Sequence, residues 1–202
     1  MMNARLATFG PRDGHLKLCS NQDVVRDEIA ALFSQSAEDC QTETVLLTLL
    51  MTDIVGSTSK LAQLGDHRWA KLLDQHDEIV RKTVCEYGGY TINTTGDGFI
   101  IAFSGPTNAI KCAQKIRSQV SRLKIAMRMG IHIGECERRG ADISGLTVHI
   151  AARILCYASR GQVLISGTVR DVTIGSGHDL RHVSAPRLKD VPGDWPLYEV
   201  RK

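Results

Sequence analysis

The chain predicts an α+β fold in which helices stack on an antiparallel or mixed sheet. Three observations carry that expectation. An apolar run from Val45 to Asp53 stops at a glycine turn that leads into a helix. Two β-rich arms flank Asp97-Gly98 in YTINTTGDGFIIAF, a strong hairpin signal. Segments with helical spacing of apolar residues alternate with the strands instead of following them in a block.

The elements follow in order. Residues 1–20 mix Gly, Pro and scattered charge without periodicity and read as a tail. Asn21 caps an expected amphipathic helix, NQDVVRDEIAALFSQS, with Val24, Val25, Ile29, Leu32 and Phe33 on one face. Residues 36–44 read as a linker, so residues 1–44 form an N-terminal extension and residues 45–202 the main domain. After the strand ending at Asp53, IVGST turns into a helix starting near Ser57. A longer helix is expected from about His67 to Tyr87, where Trp69, Leu72, Leu73, His76, Ile79, Val80 and Val84 keep helical spacing and Gly88-Gly89 ends the run. Beyond the hairpin, Pro106 opens a helix over about Thr107–Leu123. The strand Ile125–Gly134 alternates Ala126, Arg128, Gly130 and His132 with larger apolar residues. Residues 135–146 read as a polar loop ending in Asp142-Ile-Ser-Gly145, and a helix follows over roughly Val148–Ser159. Gly161 precedes the strand QVLIS, a short helix starts near Thr168, and LKDVPGDWPLYEV is a turn with a closing strand. Hairpins mixed with crossovers in this order are related to the ferredoxin-like split βαβ, a βαββαβ core sandwich.

Composition narrows the function. With 43% apolar and 23% charged residues in 202, usage is that of a globular domain long enough to bury a core. A net charge of +3, without a run of five like charges, gives no footprint for nucleic acid. No apolar stretch approaches the length of a membrane span, and MMNARLATFGPRDG has no apolar core of a secretory signal. The six cysteines Cys19, Cys40, Cys85, Cys112, Cys136 and Cys156 form no C-x-x-C pair, which argues against zinc or a disulfide framework. Reduced thiols and a cytoplasmic location are expected.

Three places carry candidate chemistry. Asp53 ends a buried strand, where a carboxylate can hold a hard cation such as Mg²⁺. Gly56, Ser57 and Thr58 enter a helix whose free N–H groups can cradle a phosphate. Asp97 sits at the hairpin tip. A strand-end and a hairpin-tip carboxylate that meet can bind two metals about 4 Å apart, as in two-metal phosphoryl chemistry. His149 and Arg153, four residues apart on the expected helix, share a face. An arginine there suits a phosphate whose charge grows in the transition state.

Taken together and in order, TDIVGST, GGYTINTTGDGF, RMGIHIGE, DISGLTVHIAAR and GQVLIS resemble the class III adenylate/guanylate cyclase catalytic domain, above all its bacterial, actinobacterial-type members. The resemblance covers roughly residues 45–202 and implies the α+β fold of that family. It implies that Asp53, Asp97 and the backbone carbonyl of Ile54 ligate two Mg²⁺ (or Mn²⁺). It implies that Arg153 stabilises the transition state and that Lys189, in RLKDVPG, binds phosphate. The ribose-orienting Asn of the family is His149 here, and the base-reading Lys and Asp fall on Asn93 and Asp142. The implied activity is conversion of ATP to 3′,5′-cyclic AMP, with weak action on GTP, in a homodimer with shared sites. Because His149 and Asn93 depart from the family pattern, guanylate cyclase and a catalytically weak nucleotide-binding module stay open as alternatives. TTGDGF is not the G-G-D/E-E-F signature of a diguanylate cyclase.

Overall fold

The computed structural model describes residues 43–201. The expected helix from Asn21, most of the linker, and Cys19 and Cys40 lie outside the described residues. The first strand, β1 (Glu43–Ile54), begins two residues before the expected position and takes an interior place in an eight-stranded sheet. Its side chains divide by parity. Leu50 and Ile54 enter the core on one face, and Leu49 and Met51 the core on the other.

Helices α1 (Ser57–Leu64) and α2 (Asp66–Glu86) follow, then the hairpin β2 (Tyr90–Thr94) and β3 (Phe99–Phe103). Next come α3 (Pro106–Val120), a 3₁₀ turn over Ser121–Leu123, and the long strand β4 (Met127–Arg139). The chain continues through β5 (Asp142–Ser144), α4 (Leu146–Tyr157), β6 (Val163–Ser166), α5 (Gly167–Val172), β7 (Leu180–Ser184) and β8 (Leu197–Val200). The sheet order is β2-β3-β1-β4-β6-β8-β7, with β5 paired to β4. Only β4 and β6 run parallel, joined by the crossover helix α4.

Two layers of helix sandwich the sheet. On one face α2 and α3 bury Val80, Val84, Ile110 and Ile116 against Leu50, Ile101, Met129 and Ile131. On the other, α4 packs Ala151 against Leu49 and Met51. This helix lies close because β4 carries glycine beneath it. A Cβ on Gly130 would stand 2.5 Å from the Leu155 backbone nitrogen, and one on Gly134 2.6 Å from Thr147 Oγ1. Those glycines seat α4, and with it His149 and Arg153, on the sheet.

The expected loop over residues 135–146 is instead mostly strand. β4 runs on to Arg139, turns at Gly140 (φ 62°), and returns as β5. ECERRGADIS lacks the apolar alternation that marks a strand. What makes it one is its partner, since Glu43–Leu47 of β1 pairs residue for residue with Gly134–Arg138. Strand β7, which the sequence does not announce, likewise forms by pairing with β8 at the sheet edge. Among the described residues no helix is long and apolar enough to cross a membrane, and Cys85, Cys112, Cys136 and Cys156 are free thiols.

Candidate active site

The register of β1 on β3 joins the two acidic motifs. Thr52 pairs with Phe99, so the end of β1 lies beside the turn that carries Asp97. The Phe99 N–H donates to Thr52 Oγ1 at 3.1 Å, and the Thr95 N–H closes the turn on the Gly98 carbonyl at 2.9 Å. Gly98 is needed for close approach, because a Cβ there would overlap the Thr52 carbonyl oxygen. The result is a cleft of about 380 Å³ lined by Asp53, Ile54, Val55, Gly56, Ser57, Thr58, Asp97 and Arg128. Gly56 adopts φ 72°, a left-handed turn into α1, and no side chain caps that helix. The N–H groups of its first turn are therefore open to an anionic ligand.

The donor set of this cleft fits a hard divalent cation. It offers two carboxylates and backbone oxygen, with no sulfur or imidazole among the lining residues. Mg²⁺ takes one or two carboxylates and completes its shell with phosphate oxygens and water.

Arg128 belongs to this cleft, although the sequence marked it only by its place in an alternating strand. It stands opposite Asp53 in the β1–β4 register. Its Nε donates to Asp53 Oδ2 at 2.7 Å, and its Nη2 lies 2.6 Å from the same oxygen. The odd-numbered residues of β1 and the even-numbered residues of β4 face one side, and that parity was the available signal.

The other expected site residues line none of that cleft, and two of them, His149 and Arg153, lie on α4. Asn93, in β2, and Asp142, at the start of β5, are exposed, but their neighbours Ile92 and Ile143 meet in one apolar cluster. Each accepts from the backbone N–H of the next residue. Asn93 Oδ1 accepts from the Thr94 N–H at 2.7 Å, and Asp142 Oδ1 accepts from the Ile143 N–H at 2.9 Å. His149 is exposed on α4, and Arg153 is half-buried one turn further along. Lys189 is exposed in a turn that docks on the same helix, with Leu188 and Val191 buried against Ile150 and Ile154.

Two histidines, His76 and His132, are buried. His76 is fully enclosed beneath the Phe99 ring, with Nδ1 2.9 Å from Asp77 Oδ1. Burial lowers its pKa against the opposing pull of the Asp77 hydrogen bond and the Asp77 and Asp97 charges. His132 is lowered by burial to about 4 and is neutral at physiological pH. His132 Nδ1 and the Ser166 hydroxyl share a hydrogen bond of 2.8 Å, and the same hydroxyl accepts from the Val169 N–H. Trp195, in the segment that follows Lys189, meets that ring edge-on at 5.5 Å.

Known proteins match this architecture. The model of the adenylate and guanylate cyclase catalytic domain family matches residues 40–194. An uncharacterized protein of Mycobacterium tuberculosis is 31% identical over 131 residues, covering 64% of this chain and 45% of the relative. A putative adenylate cyclase of Rhizobium meliloti is 25% identical over 158 residues, covering 70% of this chain and 27% of the relative. The chain thus spans less than half the length of these curated relatives. The crystal structure of the adenylyl cyclase CyaB from P. aeruginosa superposes with a TM-score of 0.76 at 22% identity, covering 80% of this chain and 96% of that one. The guanylate cyclase domain of RhGC from Catenaria anguillulae, in complex with GTP, superposes with a TM-score of 0.71 at 16% identity, covering 79% and 98%. The fold is thus shared by proteins named for either nucleotide.

Proposed function

The chain belongs to the adenylate and guanylate cyclase catalytic domain family, and from that premise we propose that it is an adenylate cyclase. It converts ATP to 3′,5′-cyclic AMP and pyrophosphate, with weak action on GTP, in a homodimer whose two active sites are each built from both chains. The observation that carries the base choice is the exposed Asp142 carboxylate, which bonds its neighbour's N–H through one oxygen. Oδ1 of Asn93 accepts from the Thr94 N–H but keeps a second lone pair, so the amide can still donate to or accept from a base. With Oδ1 of Asp142 engaged by Ile143 N–H, a carboxylate oxygen is left to accept. Adenine presents an acceptor at N1 and a donor at its 6-amino group, whereas guanine reverses both. Asp142 suits the adenine 6-amino group, and guanine O6 would leave that carboxylate unpaired.

In this reading Asp53, Asp97 and the Ile54 carbonyl would hold two Mg²⁺ (or Mn²⁺). Those ions supply charge neutralisation at the phosphates and a lowered pKa at the attacking 3′-hydroxyl. The N–H groups following Gly56 cradle phosphate, with Ser57 and Thr58 at the start of α1. Arg128 gives up Asp53 and presents its guanidinium to the same anion. His149 donates to the ribose, Arg153 meets the charge that grows on the α-phosphate, and Lys189 binds phosphate. Shared sites are supported by the separation of the two groups. The cleft with both carboxylates contains none of Asn93, Asp142, His149, Arg153 and Lys189.

Measuring kcat/KM for ATP and GTP tests the proposal. A preference for ATP of roughly 10- to 100-fold is expected, the ratio that unpaired polar groups support, and Asn93→Lys should sharpen it. A preference for GTP would refute the assignment of Asp142 to the 6-position. A second reading, a nucleotide-binding module with little turnover, is favoured by His149, whose imidazole differs in reach from an amide. Nucleotide binding without product under Mg²⁺ or Mn²⁺ would select it.

A further inference from the structure

We propose that Asp190 is a positioning residue for Arg153, a latch that holds the guanidinium until a polyphosphate displaces it. The inference rests on the reading that Arg153 meets the reacting phosphate, and takes that contact as already made in the bound complex before the charge grows. Arg153 Nη2 lies 3.5 Å from Asp190 Oδ2. Asp190 stands in an unusual backbone state, with φ 62°. It is the third residue of a tight turn closed by the Val191 N–H on the Leu188 carbonyl at 3.1 Å. A positive φ at that position marks a type II turn, whose usual occupant is Gly or Asn. A carboxylate-bearing residue is held there at a cost, and such cost persists where the surroundings over-determine the conformation. They do so here, because Leu188 and Val191, on either side of the turn tip, are anchored in the apolar cluster under α4. The turn cannot drift from the helix, and it presents Lys189 and Asp190 side by side.

The latch is weak by construction. The side chains are 37% exposed for Arg153 and 73% for Asp190, so solvent screens the pair. A triphosphate carries more charge and accepts from a guanidinium through two oxygens, so it displaces a single contact at this distance. The same carboxylate, next to Lys189, lowers the positive potential that an anionic substrate meets. Both effects favour the free enzyme over the complex. Neither acts once the nucleotide has taken Arg153, so the latch raises KM and leaves kcat nearly unchanged.

Steady-state kinetics of the full chain test this. Asp190→Asn keeps a residue that tolerates positive φ and removes the charge, and Asp190→Gly does the same by another route. KM for ATP should fall about 2- to 5-fold at low salt in both, the range of an exposed ion pair, with kcat altered by less than about twofold. At an ionic strength of about 0.5 M the difference from the wild type should shrink, because screening already weakens the latch. An unchanged or raised KM, a matching fall in kcat, or a difference that salt does not touch would each overturn the latch. If the wild type neither binds ATP in equilibrium dialysis nor forms product, the cyclase reading falls and the latch with it. Wild-type turnover with variants that match it in KM sinks the latch alone.

Discussion

Asp53 and Asp97 line one cleft with unequal support. Asp53 has the Arg128 guanidinium against it, whereas Asp97 has no ion-pair partner among the described residues and is held by its turn. Removing the Asp97 carboxylate therefore takes away an oxygen pair proposed to hold metal and little else. Asp97→Ala should reduce turnover at least about 10³-fold, corresponding to several kcal/mol of charge stabilisation. Its thermal midpoint should stay near that of the wild type, since turn substitutions away from packed features change stability by within about 0.5 kcal/mol. Retained turnover in this variant would remove Asp97 from the metal assignment. Both aspartates stood out in the sequence because each ends an element with strong local signals, a buried apolar run and an Asp-Gly hairpin. Arg128 and Asp190 did not, because their importance comes from partners 75 and 37 residues away in the chain.

Among the elements, the hairpin β2–β3 does the most to set the site. Its turn is pressed onto the end of β1 so closely that position 98 accepts only glycine. Gly98→Ala forces the turn to lift, and overpacking of this kind costs about 1–3 kcal/mol. A displacement of about 1 Å also costs roughly 10²-fold in turnover where reacting groups must align. A lowered melting temperature together with that loss of kcat is the expected result. A variant with wild-type kcat would show that the contact does not position Asp97. Local pattern reading captured this hairpin, β1, α2 and α3, whose periodicity or turn chemistry is written within a dozen residues. It missed the outer half of β4 with β5, because a polar ribbon becomes strand only when another strand supplies the hydrogen bonds.

At the scale of the whole molecule the proposed chemistry needs two chains, and complementation decides it. Asp53→Ala and Arg153→Ala, each as its own homodimer, should be nearly inactive. Mixed in equal amounts with free exchange, half of the dimers are mixed and each of these holds one intact site of two. Activity should therefore recover to about a quarter of the wild type, as the symmetry of a two-fold dimer requires. No recovery despite demonstrated exchange would mean that each chain carries a complete site. The sequence by itself determined the order of the elements other than β5 and β7, the two acidic motifs, the helix that carries His149 and Arg153, and the family. The elements and motifs rest on short-range periodicity and turn chemistry, which neighbouring residues specify, and the family on the resemblance of five ordered motifs. Tertiary structure alone decided that Arg128 meets Asp53, that a strained turn brings Asp190 to Arg153, and that the site residues separate into two groups. Those relations depend on strand register and on how closely α4 approaches Gly130 and Gly134, and a linear pattern does not encode distances between elements far apart in the chain.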